Sequence, residues 1–284
     1  MRVSARRRHP TIEPGPLSER PQVVAHRGAS AAVAEHTLAA YTQALEDGAE
    51  ALECDVRLTS DGHLVCVHDR RINRTSNGQG ALSTLPLKEL QALDWASWKL
   101  AGVGDTPNAD GDVTSRSILT LERLLDAVCD WGRPVELAIE TKHPTRYAGL
   151  VEQRLIQLLD RYGWARPKRG AGSPARVMSF SWLSLRRCLE MAPALEMVYL
   201  MDRVPLRLRD GSLPLGVGVA GPSIEIIRAH PEYVDKVHAS GRQVHVWTVN
   251  DPRDIALCAA LGVDAVITDR PRDALEQLSE LARG

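Results

Sequence analysis

Residues Ala51–Asp69 read ALECDVRLTSDGHLVCVHD. Two apolar, β-branched runs, Ala51–Arg57 and Leu64–Val67, flank a short link, Ser60-Asp61-Gly62-His63. An Asp-Gly pair is the strongest short-range hairpin signal, because a type I′ turn needs φ > 0 at both central positions. The two strands are therefore expected to run antiparallel. With Asp61 and Gly62 as a two-residue loop, Ser60 faces His63, Arg57 faces Cys66 and Asp55 faces His68. Directly opposed residues point to the same face, and the pleat adds Glu53, two positions from Asp55. Unpaired charge gains nothing inside a packed strand. This face either meets water or gathers for chemistry. The inference hangs on register, since a one-residue slip sends His68 to the other side.

The rest of the chain alternates short strand patterns with longer helical ones. The strands are Gln22–His26, Ala51–Arg57, Leu64–Val67, Val135–Thr141, Arg176–Phe180, Glu196–Leu200, Gly216–Ala220, Gln243–Val249 and Ala265–Thr268. Helical periodicity covers Thr37–Glu46, Leu121–Cys129, Tyr147–Arg161, Leu183–Met191, Pro231–Ser240, Pro252–Leu261 and Arg272–Leu281. A repeated strand-then-helix order means a parallel sheet. With the Leu64–Val67 return strand set aside as an excursion, eight parallel strands remain, the number of a (β/α)8 TIM barrel. A doubly wound open sheet is the alternative. No Gly-x-Gly-x-x-Gly follows the first strand to support it.

The composition agrees with one α/β domain. The chain has 284 residues, 44% hydrophobic and 25% charged, with net charge -1; such barrels take ~250 residues as a single domain. That balance offers no global basic field for nucleic acid, and no apolar run reaches the ~18 residues of a membrane span. Residues 1–20 are basic and proline-rich, without an apolar signal core, and read as a flexible arm ahead of a domain over 21–284. The five cysteines (Cys54, Cys66, Cys129, Cys188, Cys258) are odd in number and lack Cys-x-x-Cys spacing. They read as small buried hydrophobes in a reducing compartment, the cytoplasm.

Three strand ends carry charge: His26-Arg27-Gly28, Glu53-x-Asp55 and Glu140-x-Lys142. Barrel active sites lie at the C-terminal ends of strands, so these ends meet in one place. Adjacent carboxylates repel unless a cation sits between them, and hard oxygen ligands favour Mg2+ or Ca2+ over zinc. The mixture supplies carboxylates for a metal, cations for an anion and histidines for proton transfer.

With His68-Asp69, Trp247-Thr248-Val249-Asn250 and Ile267-Thr268-Asp269-Arg270-Pro271, these motifs resemble glycerophosphodiester phosphodiesterases in order and spacing, over about Gln22–Leu275. The resemblance implies a TIM barrel with a small insertion after the hairpin, here about residues 70–120. It implies one divalent cation, Mg2+ or Ca2+, on Glu53, Asp55 and Glu140, with His26 and His68 as the general acid/base pair. It further implies Arg27 and Lys142 on the phosphodiester oxygens, Trp247 against the glycerol, and glycerol 3-phosphate and an alcohol as products. A lysophospholipase D-type activity on the same fold, or a noncatalytic barrel binding phosphoryl ligands, are the alternatives. Peripheral membrane contact stays open, with Trp95 and Trp98 of the insertion as its thin support. Headgroup, ion and oligomeric state are not legible. One motif departs: the family's usual Pro-Glu-Asn-Thr reads Ala34-Glu35-His36-Thr37 here, and His36 receives no catalytic role. Among the remaining polar residues, His245 is read as a hydrogen-bonded barrel-interior histidine, and Asp269 as a cap or anchor for the last strand–helix turn.

Overall fold

The computed structural model describes residues 20–99, 116–146, 149–168 and 171–283. The expected arm over residues 1–20 lies almost wholly outside the described residues, as does part of the insertion. Eight strands form a closed parallel barrel: β1 (Gln22–His26), β2 (Ala51–Leu58), β4 (Glu136–Thr141), β5 (Ala175–Ser179), β6 (Glu196–Met201), β7 (Val219–Pro222), β8 (Gln243–Val246) and β9 (Ala265–Thr268). β1 pairs with both β2 and β9, which closes the ring. The ninth strand, β3 (Leu64–Cys66), is antiparallel to β2. Val56 pairs with Thr141 of β4 and with Cys66 of β3, so β3 takes the edge of β2 that β1 vacates after Glu53.

Helices wrap the barrel: α1 (Leu38–Glu46), α2 (Leu87–Gln91) in the insertion, α3 (Leu121–Asp130), α4 (Leu150–Arg161), α5 (Trp182–Met191), α6 (Ile224–Ala229), α7 (Glu232–Ala239), α8 (Pro252–Ala260) and α9 (Pro271–Leu281). Local chemistry starts several of them. Thr37, Thr120, Ser181 and Asp251 each accept a backbone N–H of the first turn, and α8 carries Pro at its start. Buried Leu, Val and Ala fill the space between strands and helices. Each fully buried Leu, Val or Ile there contributes about 1.5–3 kcal/mol.

The pleat sorts the barrel interior into layers. Gln22, Glu136 and Arg176 meet near the N-terminal ends of their strands, Arg176 donating to Glu136 (2.7 Å) and to Gln22 (2.8 Å). Val24, Ala51, Ala138, Met178, Val198, Val219 and Ala265 form an apolar plug. Two residues further along β1, β2 and β4 come His26, Glu53 and Glu140. One periodicity of two thus places apolar plug and charged rim on the same strands.

Several expectations need correction. The hairpin ladder is Val56↔Cys66, Arg57↔Val65 and Leu58↔Leu64, one residue from the register read off the sequence. The loop has three residues. Gly62 N donates to Thr59 O, Thr59 N to His63 O, and Gly62 sits at φ +85°, a tight turn closed by a left-handed glycine. Thr59 and the backbone of Leu87 both bind the Asp61 carboxylate and brace that form. Continued pairing would put His68 opposite Cys54, on the helix-facing side. The ladder ends at Cys66 instead, Arg57 Nε holds the His68 carbonyl (2.8 Å), and the bend returns the imidazole to the barrel mouth. β7 starts at Val219 rather than Gly216, because Gly216 (φ +82°) and the Val217 N to Pro214 O bond still belong to a turn. β8 ends at Val246 rather than Val249. Helix α6 has no counterpart among the expected helices. Within the insertion, Ile72, Leu82, Leu90, Trp95 and Ile118 form a small core on Val65 and Val67 of the hairpin. Trp95 is buried there, donating to Leu90 O, and takes no part in a surface for lipid.

Candidate active site

A cavity of about 230 Å3 opens at the C-terminal end of the barrel. His26, Arg27, Glu53, His68, Glu140, Lys142 and Trp247 all line it. Asp55, the eighth residue singled out, is buried beside them, and oxygens of Glu53, Asp55 and Glu140 lie within 4.8 Å of one another. Met178, Phe180, Leu200 and Ile267 make an apolar wall with Trp247. Phe180 meets the Trp247 ring edge-on, with centroids 5.3 Å apart, and Trp247 Nε1 donates to Gly221 O.

The three carboxylates form a strained electrostatic group. Burial, and the neighbouring Asp55 charge, push Glu53 well above the usual carboxylate range. The same two causes raise Glu140 to about 8. Asp55 goes the other way. Burial alone would raise it, but Lys142, His36 and Arg27 together hold it well below its usual value. Lys142 Nζ is 3.2 Å from Asp55 Oδ1 and 2.8 Å from Glu140 Oε1, and Arg27 Nε is 3.0 Å from Asp55 Oδ2. Asp55 Oδ1 has charge nearby but, among the described residues, no hydrogen bond of good geometry. A buried acceptor left over in this way, with two carboxylates whose charge burial and Asp55 disfavour, fits a hard divalent cation.

Each histidine is backed by a carboxylate. His26 Nδ1 lies 2.7 Å from Asp269 Oδ1, and His68 Nδ1 lies 2.6 Å from Asp69 Oδ1. A carboxylate only accepts, so both Nδ1 atoms carry the hydrogen, and in the neutral ring Nε2 is the basic nitrogen. Burial lowers the His68 pKa, and Arg27 and Lys142 lower it further, against the pull of Asp55 and Asp69. Asp269 is itself held by Asn250 Nδ2 (2.6 Å) and by Ser30 Oγ (2.8 Å). Burial opposes its charge, but the His26, Asn250 and Ser30 bonds prevail and its pKa falls well below normal.

Of the cap or anchor expected at Asp269, the structure has the anchor and not the cap. Its oxygens face His26 and Asn250, and α9 begins without a side-chain cap. The signal was present: Asp269 follows the end of β9, where catalytic groups of a barrel collect. His245 differs as well. It is buried in the barrel, but among the described residues its Nδ1 finds no hydrogen-bond partner, and burial, with the nearby Arg176 charge, lowers its pKa well below the usual value.

Sequence reasoning also passed over the layer beneath Asp55. His36 Nε2 is 2.9 Å from Asp55 Oδ2, and His36 Nδ1 is 2.8 Å from the Tyr41 hydroxyl. His36 sits at φ 59°, in the left-handed region that Asn, Asp and His tolerate better than most residues. That geometry accounts for both the family's usual asparagine and the histidine found here. Glu35 accepts from Arg27 (3.0 Å) and, through both oxygens, from Arg74 of the insertion. Burial opposes its charge, yet these cations bring it down to about 2.

Comparison with known proteins bears on this arrangement. Residues 26–273 match the model of the glycerophosphoryl diester phosphodiesterase family. The chain is 46% identical over 256 residues to probable glycerophosphodiester phosphodiesterase 1 of Mycobacterium tuberculosis, covering 90% of this chain and 91% of the relative. It is 32% identical over 253 residues to glycerophosphodiester phosphodiesterase of Bacillus subtilis, covering 87% and 83%. Its fold is similar to an Oleispira antarctica phosphodiesterase solved in complex with the product sn-glycerol-3-phosphate, at TM-score 0.74 and 24% identity, covering 92% and 97%. A barrel closed on eight parallel strands, its charged mouth and these similarities converge: the chain belongs to the glycerophosphoryl diester phosphodiesterase family.

Proposed function

We propose that this protein hydrolyses glycerophosphodiesters to glycerol 3-phosphate and an alcohol, with a divalent cation, Mg2+ or Ca2+, held by Glu53, Asp55 and Glu140. The observation that carries the reading is the convergence of three buried carboxylates beside two histidines that each lean on an aspartate. A cation there would polarise a phosphoryl oxygen and offset charge developing at phosphorus.

The chain's own groups do the rest. Arg27 and Lys142 face the same cavity and bind the diester oxygens, Arg as a planar fork and Lys as a point charge. His26 and His68, each with a basic Nε2, share proton transfer: one ring takes a proton from the attacking oxygen, the other returns one to the departing alkoxide. Asp269 and Asp69 fix the tautomer and stabilise the imidazolium as it forms. Trp247, with Phe180 against it, offers a flat apolar wall to the C–H surface of glycerol. We place the protein in the cytoplasm, a reading supported by five cysteines, none of them in a disulfide.

Release of glycerol 3-phosphate tests the reading. Protein stripped with EDTA should be inactive, and Mg2+ or Ca2+ should restore turnover. His26→Ala and His68→Ala should each lower kcat by about 10^2–10^4-fold, the usual contribution of a positioned acid or base. Full activity after thorough metal removal would refute the cation assignment.

A further inference from the structure

His68 lines two spaces at once. One is the catalytic cavity; the other is an open cleft of about 560 Å3 walled by Arg57, Asp69, Arg70, Arg71, Asn73 and Arg74. Arg57 and Arg70 also border an adjoining groove that reaches Lys142 and Arg146. The whole chain carries a net charge of only -1, so four arginines around one cleft are a local concentration.

Their pairing is uneven. Arg74 is neutralised, bound to Glu35 through both terminal nitrogens and to Asp69 through Nε. Arg57 spends Nε on the His68 carbonyl. Among the described residues, no carboxylate forms an ion pair with Arg57, Arg70 or Arg71. Arg57 is half-buried. A partly desolvated guanidinium without a counter-ion is costly unless an anion visits it.

The geometry of the two spaces gives that anion a direction. The glycerol half of a diester has the Trp247–Phe180 wall on one side of the catalytic cavity. The other half departs past His68, into the arginine cleft. Resting on the diesterase reading above, we propose that the cleft receives the alcohol half of the substrate, and that the preferred alcohol carries an anionic group of its own, a phosphate. Planar guanidinium forks suit phosphate oxygens, and a quaternary ammonium headgroup meets repulsion there.

The test compares kcat/KM for three diesters at fixed cation: glycerophosphocholine, glycerophosphoglycerol and glycerophosphoinositol 4-phosphate. The phosphorylated alcohol should be favoured over choline by about tenfold or more, and rising salt should narrow the gap by screening, with a Debye length near 10 Å at 0.1 M falling to about 3 Å at 1 M. In the double variant Arg70→Gln/Arg71→Gln, two exposed positions, the anionic-to-neutral ratio should fall about fivefold or more. Arg57→Gln provides a second variant with the same expected direction, and circular dichroism checks that both fold. Equal or better turnover of glycerophosphocholine, or an unchanged ratio in both variants, would overturn the proposal while leaving the diesterase reading intact. No turnover of any diester with either cation would overturn both.

Discussion

Asp55 is the most contested side chain in the molecule, with Arg27, Lys142 and His36 all within 3.2 Å of its oxygens. Its charge and orientation set the field felt by Glu53 and Glu140. His36 is the uncharged part of that support. Burial lowers its pKa, so Nε2–H donates to Asp55, while Nδ1 faces the Tyr41 hydroxyl, which also reaches the Glu53 carbonyl. A residue that orients a metal ligand in this way is worth roughly 10–100-fold in metal affinity. His36→Ala should therefore weaken Mg2+ or Ca2+ binding, measured by calorimetry, by about tenfold or more. His36→Asn tolerates the left-handed backbone and keeps a donor, and should lose far less. Equal losses in the two variants would mean that the ring is only filling space. At this scale the sequence was informative where charge sat at strand ends, as at His26, Glu53 and Glu140. It named Asp269, His36 and Glu35 but gave none of their partners, because those lie far along the chain or in a loop whose path no periodicity dictates.

Elements position those side chains, and one turn illustrates how tightly. Gly28 follows Arg27 at φ +87°, and a Cβ there would lie 2.6 Å from the Ala40 carbonyl carbon of α1. Neither backbone can yield without moving His26–Arg27 or the helix whose Tyr41 meets His36 and the Glu53 carbonyl. Gly28→Ala should cost about 2–4 kcal/mol, combining a left-handed penalty with overpacking, read as a lower denaturant midpoint. A midpoint within experimental error of the parent would refute the clash. The strands and most helices were legible because a pleat and a helical repeat leave clear traces in Leu, Val and Ala spacing. The hairpin register was not, since Ser60-Asp61-Gly62 supports either a two- or a three-residue loop, and the choice is made by Asp61 contacts to Thr59 and Leu87. The short helix α6 was missed because six residues carry too little periodicity.

The whole molecule stores the repulsion that its parts create. Without a cation, Glu140 keeps its proton up to about pH 8, far above its unfolded value near 4.5. The folded state then binds more protons than the unfolded chain across that range, so stability falls as pH rises toward 8. The depressed histidines, His36, His68 and His245, act oppositely, but only below their unfolded pKa of about 6.5. In EDTA, the melting temperature should drop between about pH 6.5 and 8, and saturating Mg2+ or Ca2+ should flatten that slope and raise the whole curve. A metal-free curve that is level over this interval would count against the buried triad as the seat of the effect. The barrel's closure on itself was foreseeable from counting strands, whereas the unpaired arginines beside His68 became visible only once the insertion was folded onto the hairpin.

His26 stands on the first barrel strand, and Asp269, which holds its ring, arrives 243 residues later, just after the last. During synthesis, the barrel carries this histidine from its first strand and gains the histidine's partner only after its last. A ribosome-bound fragment that ends before β9 thus still wants the contact that aligns its imidazole. The alignment of that ring comes with the last strand, at one step.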